Sequence, residues 1–406
     1  MNNMQYIKGG VTAAIGFLAA GIHCGIRKNT AKRDLALIVA DRDCAAAAVC
    51  TTNKVKAAPV LLTMEHLKGG NARAILANSG CANACAPGGM DAARETVAAA
   101  AEVCGLKAED FIVNSTGVIG QSLPVEKITT ALPDLAKALS RDSATAAEAI
   151  MTTDTFSKTV AVRFTLGGKT VTLGGMAKGS GMIHPNMATM LAFLTTDCAI
   201  TSALLQEALR SSVQRTYNMV SVDGDTSTND MTAILASGAA GNAIIAGKGE
   251  EYDTFLCALT AVNKTLAKAI ARDGEGATKL LICRVNGAGS ASAAETLSKA
   301  VISSALTKAA MFGADANWGR VLCAMGYSGA DFSPDKADIT FASAAGRVAV
   351  CAGGAGLAFD ESLAKQVLSA DEVNIEITLQ DGEAEAEAYG CDLTYDYVKI
   401  NGDYRT

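Results

Sequence analysis

Short apolar runs alternate with stretches of helical periodicity along the whole chain, a pattern that predicts α/β or layered α+β architecture. Residues 34–41 (DLALIVAD) and 73–78 (RAILAN) read as short buried strands. Residues 91–104 have an apolar face every three to four positions, with Asp91 placed to cap the start and Gly105 just past the end. Residues 111–113 form a strand that runs into Asn114-Ser-Thr-Gly117. Two β-branched runs, 159–166 and 169–174, flank Gly167-Gly168 and predict a hairpin. Residues 190–194 form a buried strand, Ser202 caps a helix reaching to about Tyr217, and 278–285 (TKLLICRV) form another strand before a helix over 292–311. Residues 372–380, 385–389 and 394–400 read as strands of an antiparallel edge.

Composition narrows the class. The 406 residues are 50% hydrophobic and 19% charged, enough for a large core and for two or three domains, with a boundary expected near 240–285. No internal repeat or low-complexity tract interrupts them. A net charge of -6 without a basic run argues against a nucleic-acid partner. No stretch reaches the roughly 20 apolar residues of a membrane helix, and MNNMQYIKGG has neither signal-peptide nor transit-peptide order, so a cytoplasmic location is expected. The 12 cysteines lie mostly in apolar runs (Cys104, Cys198, Cys257, Cys283, Cys323, Cys351) and read as reduced, buried small hydrophobes. Cys81 and Cys85, spaced C-x3-C in a loop, lack a second pair, and with His23, His66 and His184 as the only histidines no metal site is expected.

Candidate chemistry concentrates in Lys178-Gly-Ser-Gly-Met-Ile-His-Pro-Asn-Met-Ala-Thr189-Met-Leu. A threonine hydroxyl needs a base, and no local triad stands beside Thr189. Cutting between Ala188 and Thr189 would supply one, because the new α-amine can take the hydroxyl proton. Gly174, Gly175, Gly179 and Gly181 with Pro185 allow a strained backbone that favours attack on the preceding carbonyl. By itself, a threonine ahead of an apolar run is also an ordinary strand start.

Acyl transfer further needs oxyanion donors, and Thr116 with Gly117 in NSTGVIG (114–120) offer a hydroxyl and an unobstructed N–H, though an ordinary turn has the same sequence character. Glu275 lies in a charged loop before a strand, and residues 222–230 (VDGDTSTND) read as a turn held by Asx hydrogen bonds beside the site, not as a calcium loop. The G-x-G of 284–292 lacks its third glycine, and Gly247-Lys248 lacks the Ser or Thr of a phosphate loop, so no nucleotide cofactor is implied. His184 is read as structural or site-lining, not as a general base.

KGSGMIHPNMATMLAFLTTD closely resembles the self-processing segment of the ornithine acetyltransferase family, arginine-biosynthesis enzymes also called glutamate N-acetyltransferases. The resemblance continues through TTNKVKAAPV (51–60), ANSGCANAC (77–85), NSTGVIG (114–120), TTDTFSK (152–158), SVDGDTSTND (221–230), RDGEGATK (272–279), GADANWGR (313–320) and NGDYRT (401–406). Cys81 departs from the asparagine expected there.

The resemblance implies an N-terminal-nucleophile-like fold of sheets flanked by helices with a second, smaller α/β domain. It implies self-cleavage into an α chain, 1–188, and a β chain, 189–406, assembled as a dimer of processed heterodimers. Thr189 becomes the nucleophile, Thr116 and Gly117 the oxyanion hole, and Thr153, Lys178, Thr189, Glu275, Asn401 and Thr406 the substrate-binding set, with the C-terminal tail returning to the site. Acetyl passes from N-acetylornithine through acetyl-Thr189 to glutamate in ping-pong order, releasing ornithine and N-acetylglutamate, with no cofactor. Acetyl-CoA as a second donor is left open by the sequence. Two other readings stand beside this one: a self-processed N-terminal-threonine aminopeptidase or amidase, and an uncut, non-catalytic amino-acid-binding protein.

Overall fold

A computed structural model describes residues 4–184 and 190–403. Two β-sheets flanked by helices give the α/β architecture that the alternating pattern predicts. The larger sheet has nine strands among the described residues and is organised around Leu35–Cys50. That strand pairs antiparallel with Phe17–Ile22, Asn71–Cys81 and Met231–Ala236. Phe111–Val118 continues the sheet in parallel beyond Asn71–Cys81, and Leu191–Thr196 lies parallel to Met231–Ala236. The hairpin Lys158–Leu166 and Lys169–Lys178 then leads to the edge strand Gln5–Ile7.

Both faces of this sheet are covered where Leu191–Thr196 and Met231–Ala236 run, so these inner strands are buried at every position rather than alternating. Along Leu191–Thr196, Leu191 and Phe193 pack with Ala146, Ala147 and Ile150 on one side. Ala192 and Leu194 pack on the other with Leu259, Val262 and Leu266 of the helix Glu250–Arg272. Each fully buried Leu or Phe contributes about 1.5–3 kcal/mol, so this double layer fixes strand register firmly. The long helix also touches the second sheet, whose order is Ala355–Gly356, Gly346–Ala352, Asp338–Ser343, Glu372–Thr378, Leu280–Ala288, Ala384–Cys391, Val220–Ser221. Among the described residues no helix is long and apolar enough to cross a membrane.

Several local expectations change. The segment 394–400, expected as a strand, belongs to the helix Tyr395–Asp403. Thr394 donates to Gly276 O at 2.7 Å and accepts from the Tyr397 N–H at 3.4 Å, which starts a helix where alternation alone suggested a strand. The helix expected over 292–311 is two, Ala291–Ser303 and Ala305–Phe312, because Ser304 leaves helical geometry and its hydroxyl caps the second at Thr307 N. Ser202 is the first helical residue after Thr201 rather than a cap, and that helix stops at Gln214. Asp91 stands in the first turn of Gly89–Cys104, one turn inside the left-handed Gly88 that begins it, while Gly105 ends it as expected. Leu35–Cys50 is twice the length read from DLALIVAD, since its alanine-rich second half has little strand propensity and is held by pairing with Met231–Ala236. Cys257 and Cys323 are exposed, on the outer faces of helices, whereas Cys198, Cys283 and Cys351 are buried.

Candidate active site

Strand register gathers the site. Lys178 pairs with Leu191, and Leu191 with Met231, so Lys178, Met190 and Asp230 meet at one end of the larger sheet. Thr116 and Gly117 come from the end of the strand Phe111–Val118. The 222–230 loop ties these pieces together through Asn229. Its amide donates to Ala82 O at 2.6 Å and Ser115 O at 2.8 Å, and its own carbonyl accepts from Asn114 Nδ2 at 2.8 Å. The Asx turn expected in this loop is present, with Asp225 N–H donating to Asp223 Oδ1 at 3.2 Å.

The result is a cavity of about 250 Å³ whose wall includes Thr116, Gly117, Thr153, Lys178, Glu275 and Asn401. Those six come from five separate segments of the chain. Ala188, Thr189 and Thr406 lie outside the described residues, but Met182 and Met190, on either side of 185–189, line the same cavity. Lys178 Nζ donates to Thr116 Oγ1 at 3.3 Å, and Asn401 Nδ2 donates to Glu275 Oε2 at 2.8 Å. Gly117 has φ +131° and an ideal Cβ there would stand 2.4 Å from Gly80 C, so only glycine lets this strand end approach its neighbour.

The chain entering 185–189 is held tightly. Met182 has φ +56°, a left-handed conformation that costs a non-glycine residue roughly 1–2 kcal/mol. Asp223 holds it there by accepting from the Met182 N–H at 2.6 Å and the Ile183 N–H at 2.8 Å. Glu275 N–H donates to Ser180 O at 3.0 Å, and a Cβ on Gly181 would strike the Glu275 carboxylate at 2.4 Å. His184 Nδ1 lies 2.9 Å from Ser221 Oγ, and burial, with help from Lys299, pushes its pKa down to about 4. The imidazole is therefore neutral near pH 7.

The cavity is acidic: among the described residues Asp223, Asp225, Asp230 and Glu275 line it against the one basic side chain, Lys178. Burial pushes the Lys178 pKa down, while Asp154, Asp230 and Glu275 pull it back up. Burial also pushes Asp154 up, but Lys178, Lys158 and the Gly179 N–H outweigh it and hold the carboxyl at about 2. Asp154, Lys158, Asp273 and Tyr397 were not singled out from the sequence. The available signal for the first two was Asp and Lys four apart in TTDTFSK, followed at once by an apolar strand, a place where a charge has to be paired.

Other sequence features have structural uses. Gly287, within the partial G-x-G, has φ +76° at a register shift between Val285 and Ala288, and a Cβ there would lie 2.1 Å from Leu379 O. Cys81 is buried with its thiol 3.5 Å from Gln121 O, whereas Cys85 is exposed.

The family model of ArgJ matches residues 18–406. The chain belongs to the ArgJ family. A relative from Caldanaerobacter subterraneus subsp. tengcongensis, an arginine biosynthesis bifunctional protein ArgJ, is 52% identical over 405 residues, 99% of this chain and 100% of its own. The ArgJ protein of Symbiobacterium thermophilum is 54% identical over 406 residues, again 99% of this chain and all of its own. Among solved structures, an ArgJ chain from Bacillus halodurans is 43% identical with a TM-score of 0.50, covering 53% of this chain and 100% of that one. ArgJ membership thus extends across both sheets and includes every segment that lines the cavity.

Proposed function

We propose that this ArgJ-family enzyme cuts itself between Ala188 and Thr189 and then transfers acetyl from N-acetylornithine to glutamate. What supports this most is the convergence of Thr116, Gly117, Thr153, Lys178, Glu275 and Asn401 on one cavity beside Met190, the residue that follows Thr189. The relatives' name, arginine biosynthesis bifunctional protein, agrees with it. So does the solved Bacillus halodurans chain, whose full length corresponds to 53% of this one, as the 218 residues of 189–406 would.

In the first half-reaction the Thr189 α-amine takes the hydroxyl proton while the oxygen bonds to the acetyl carbonyl carbon. The Thr116 hydroxyl and Gly117 N–H stabilise the resulting oxyanion. The C–N bond then breaks, ornithine leaves with the proton, and acetyl-Thr189 remains. In the second half-reaction the glutamate amine attacks the ester carbonyl and gives up a proton to the Thr189 α-amine, which passes it to the threonine oxygen as that oxygen leaves. Lys178 pairs with a substrate carboxylate, and Glu275 with the side-chain ammonium of ornithine. The word bifunctional in the relatives' name supports acetyl-CoA as a second donor. The working unit is two α and two β chains.

Denaturing intact-mass analysis and an acetyl-transfer assay test this together. Freshly folded protein should separate into chains of 188 and 218 residues, and Thr189→Ala should stay whole and inactive. A single 41.4 kDa species in active protein would overturn self-processing, and peptide hydrolysis without acetyl transfer would favour the aminopeptidase reading. Comparing N-acetylornithine with acetyl-CoA as donor decides the second activity.

A further inference from the structure

Behind the cavity wall lies a fully buried group of charges that the transfer chemistry does not use directly. The side chains of Asp154 and Lys158 are 0% exposed and that of Asp273 is 2% exposed. Lys158 Nζ donates to Asp154 Oδ1 at 2.7 Å and also to Asp273, and lies 4.8 Å from the Phe156 ring centroid. Such a group is costly to bury, because desolvation offsets most of its internal attraction unless every polar atom is engaged. Here the remaining carboxylate lone pairs are taken up by backbone N–H groups and by the Thr155 hydroxyl, which donates to Asp273. Asp154 accepts from the Gly179 N–H at 2.7 Å and the Thr152 N–H at 2.9 Å. Asp273 accepts from the Thr155 N–H at 3.0 Å, and its carbonyl from Ser180 Oγ at 2.6 Å.

Each contact lands next to a cavity residue. Thr152 precedes Thr153, Gly179 follows Lys178, and Asp273 stands two residues before Glu275. The group therefore joins three segments of the wall that have no sequence proximity. It also leaves an imbalance around Lys178, which is faced by Asp154, Asp230 and Glu275 as negative groups and by Lys158 as the positive one.

We infer that Asp154 is a positioning residue for acetyl transfer: its buried carboxylate locks the Thr152–Thr153 and Lys178–Gly179 segments together and sets a negative charge next to Lys178, the residue that meets a substrate carboxylate. This rests on the function proposed above. A neutral Lys178 could still fill its space but would not bind an anion, so the role of Asp154 is electrostatic as well as structural. Lys158 acts in the opposite sense on Lys178, since its own charge repels that ammonium.

The test is the pH profile of kcat/KM for glutamate as acceptor, together with calorimetric binding of glutamate across the same pH range. In Asp154→Asn the alkaline limb of both should move to lower pH by about one unit or more, because a nearby opposite charge is worth that much. In Lys158→Met the limb should move the other way, which a merely loosened site would not produce. Asp154→Glu, which keeps the charge, should retain the wild-type limb even where kcat falls. Limbs that stay at the wild-type pH in both Asp154→Asn and Lys158→Met would overturn the inference. Should one variant not fold, the direction of shift in the other still decides. Absence of acetyl transfer in the wild-type protein would count against the function proposed above, while the binding profiles would still read the Asp154–Lys178 coupling.

Discussion

The side-chain amide of Asn401 donates to Glu275 Oε2 at 2.8 Å, and so joins the helix Tyr395–Asp403 to the loop that precedes the strand Leu280–Ala288. Glu275 in turn donates its N–H to Ser180 O at 3.0 Å. Asn401 thereby bears, through the one residue Glu275, on the segment that enters 185–189. Asn401→Ala should free Glu275 to rotate. A hydrogen bond to a charged group is worth about 1.5–3 kcal/mol, so KM for N-acetylornithine should rise roughly tenfold or more while kcat changes less. Steady-state kinetics with the donor varied checks this; an unchanged KM would separate Asn401 from donor binding.

Thr116→Val keeps the shape of the side chain and removes its donor. Loss of one oxyanion donor typically costs about 10²–10³ in kcat. The variant should therefore transfer acetyl that much more slowly and melt within a few degrees of wild type. Thr116 also accepts from Lys178, so a modest KM change is expected alongside.

Gly117→Ala should behave differently. At φ +131° a Cβ would lie 2.4 Å from Gly80 C and 2.7 Å from Cys81 N, both backbone atoms that cannot step aside. Overpacking of this kind costs about 1–3 kcal/mol before backbone strain is counted. Calorimetry should show a clear drop in Tm, and a variant as stable as wild type would mean that the two strand ends are not held as close as described.

Acid should weaken the fold through particular carboxylates. Burial pushes Asp154 and Glu387 up, but Lys178 and Lys158 beside the first, and hydrogen bonds from Lys264, Tyr389 and Arg284 to the second, hold both at about 2. Their values in the unfolded chain are the ordinary 3.8 and 4.5, so the unfolded state takes up protons first as pH falls. The stability they contribute is complete above that range and lost on the way down to about 2. Glu387→Gln should lower Tm near neutral pH and make it less pH-dependent in the acid range. Melts from about pH 7 to 3 test this; parallel curves for variant and wild type would remove Glu387 from the account.

Elements with strong local signals were legible in the chain. The Gly167-Gly168 hairpin, the helix ended by Gly105 and the strand beginning near Met190 need only periodicity and turn chemistry, and they form where expected. Two kinds of element were not. The alanine-rich half of Leu35–Cys50 has no propensity of its own and exists because neighbours pair with it. The helix Tyr395–Asp403 alternates like a strand but is started by Thr394 reaching Gly276.

The site divides in the same way. Sequence by itself pointed to Thr116-Gly117, Lys178, Glu275 and Asn401 only through resemblance to family segments, because a glycine-rich turn or a charged loop has the same local character without any chemistry. It could not determine that Asp154 and Lys158, four residues apart, are completed by Asp273 more than a hundred residues away. Tertiary structure decided that, and decided how Lys178 comes to lie against Thr116. The physical reason is range. Propensity and turn chemistry act over a few residues, whereas a buried charge is stabilised only by the partners the fold brings to it.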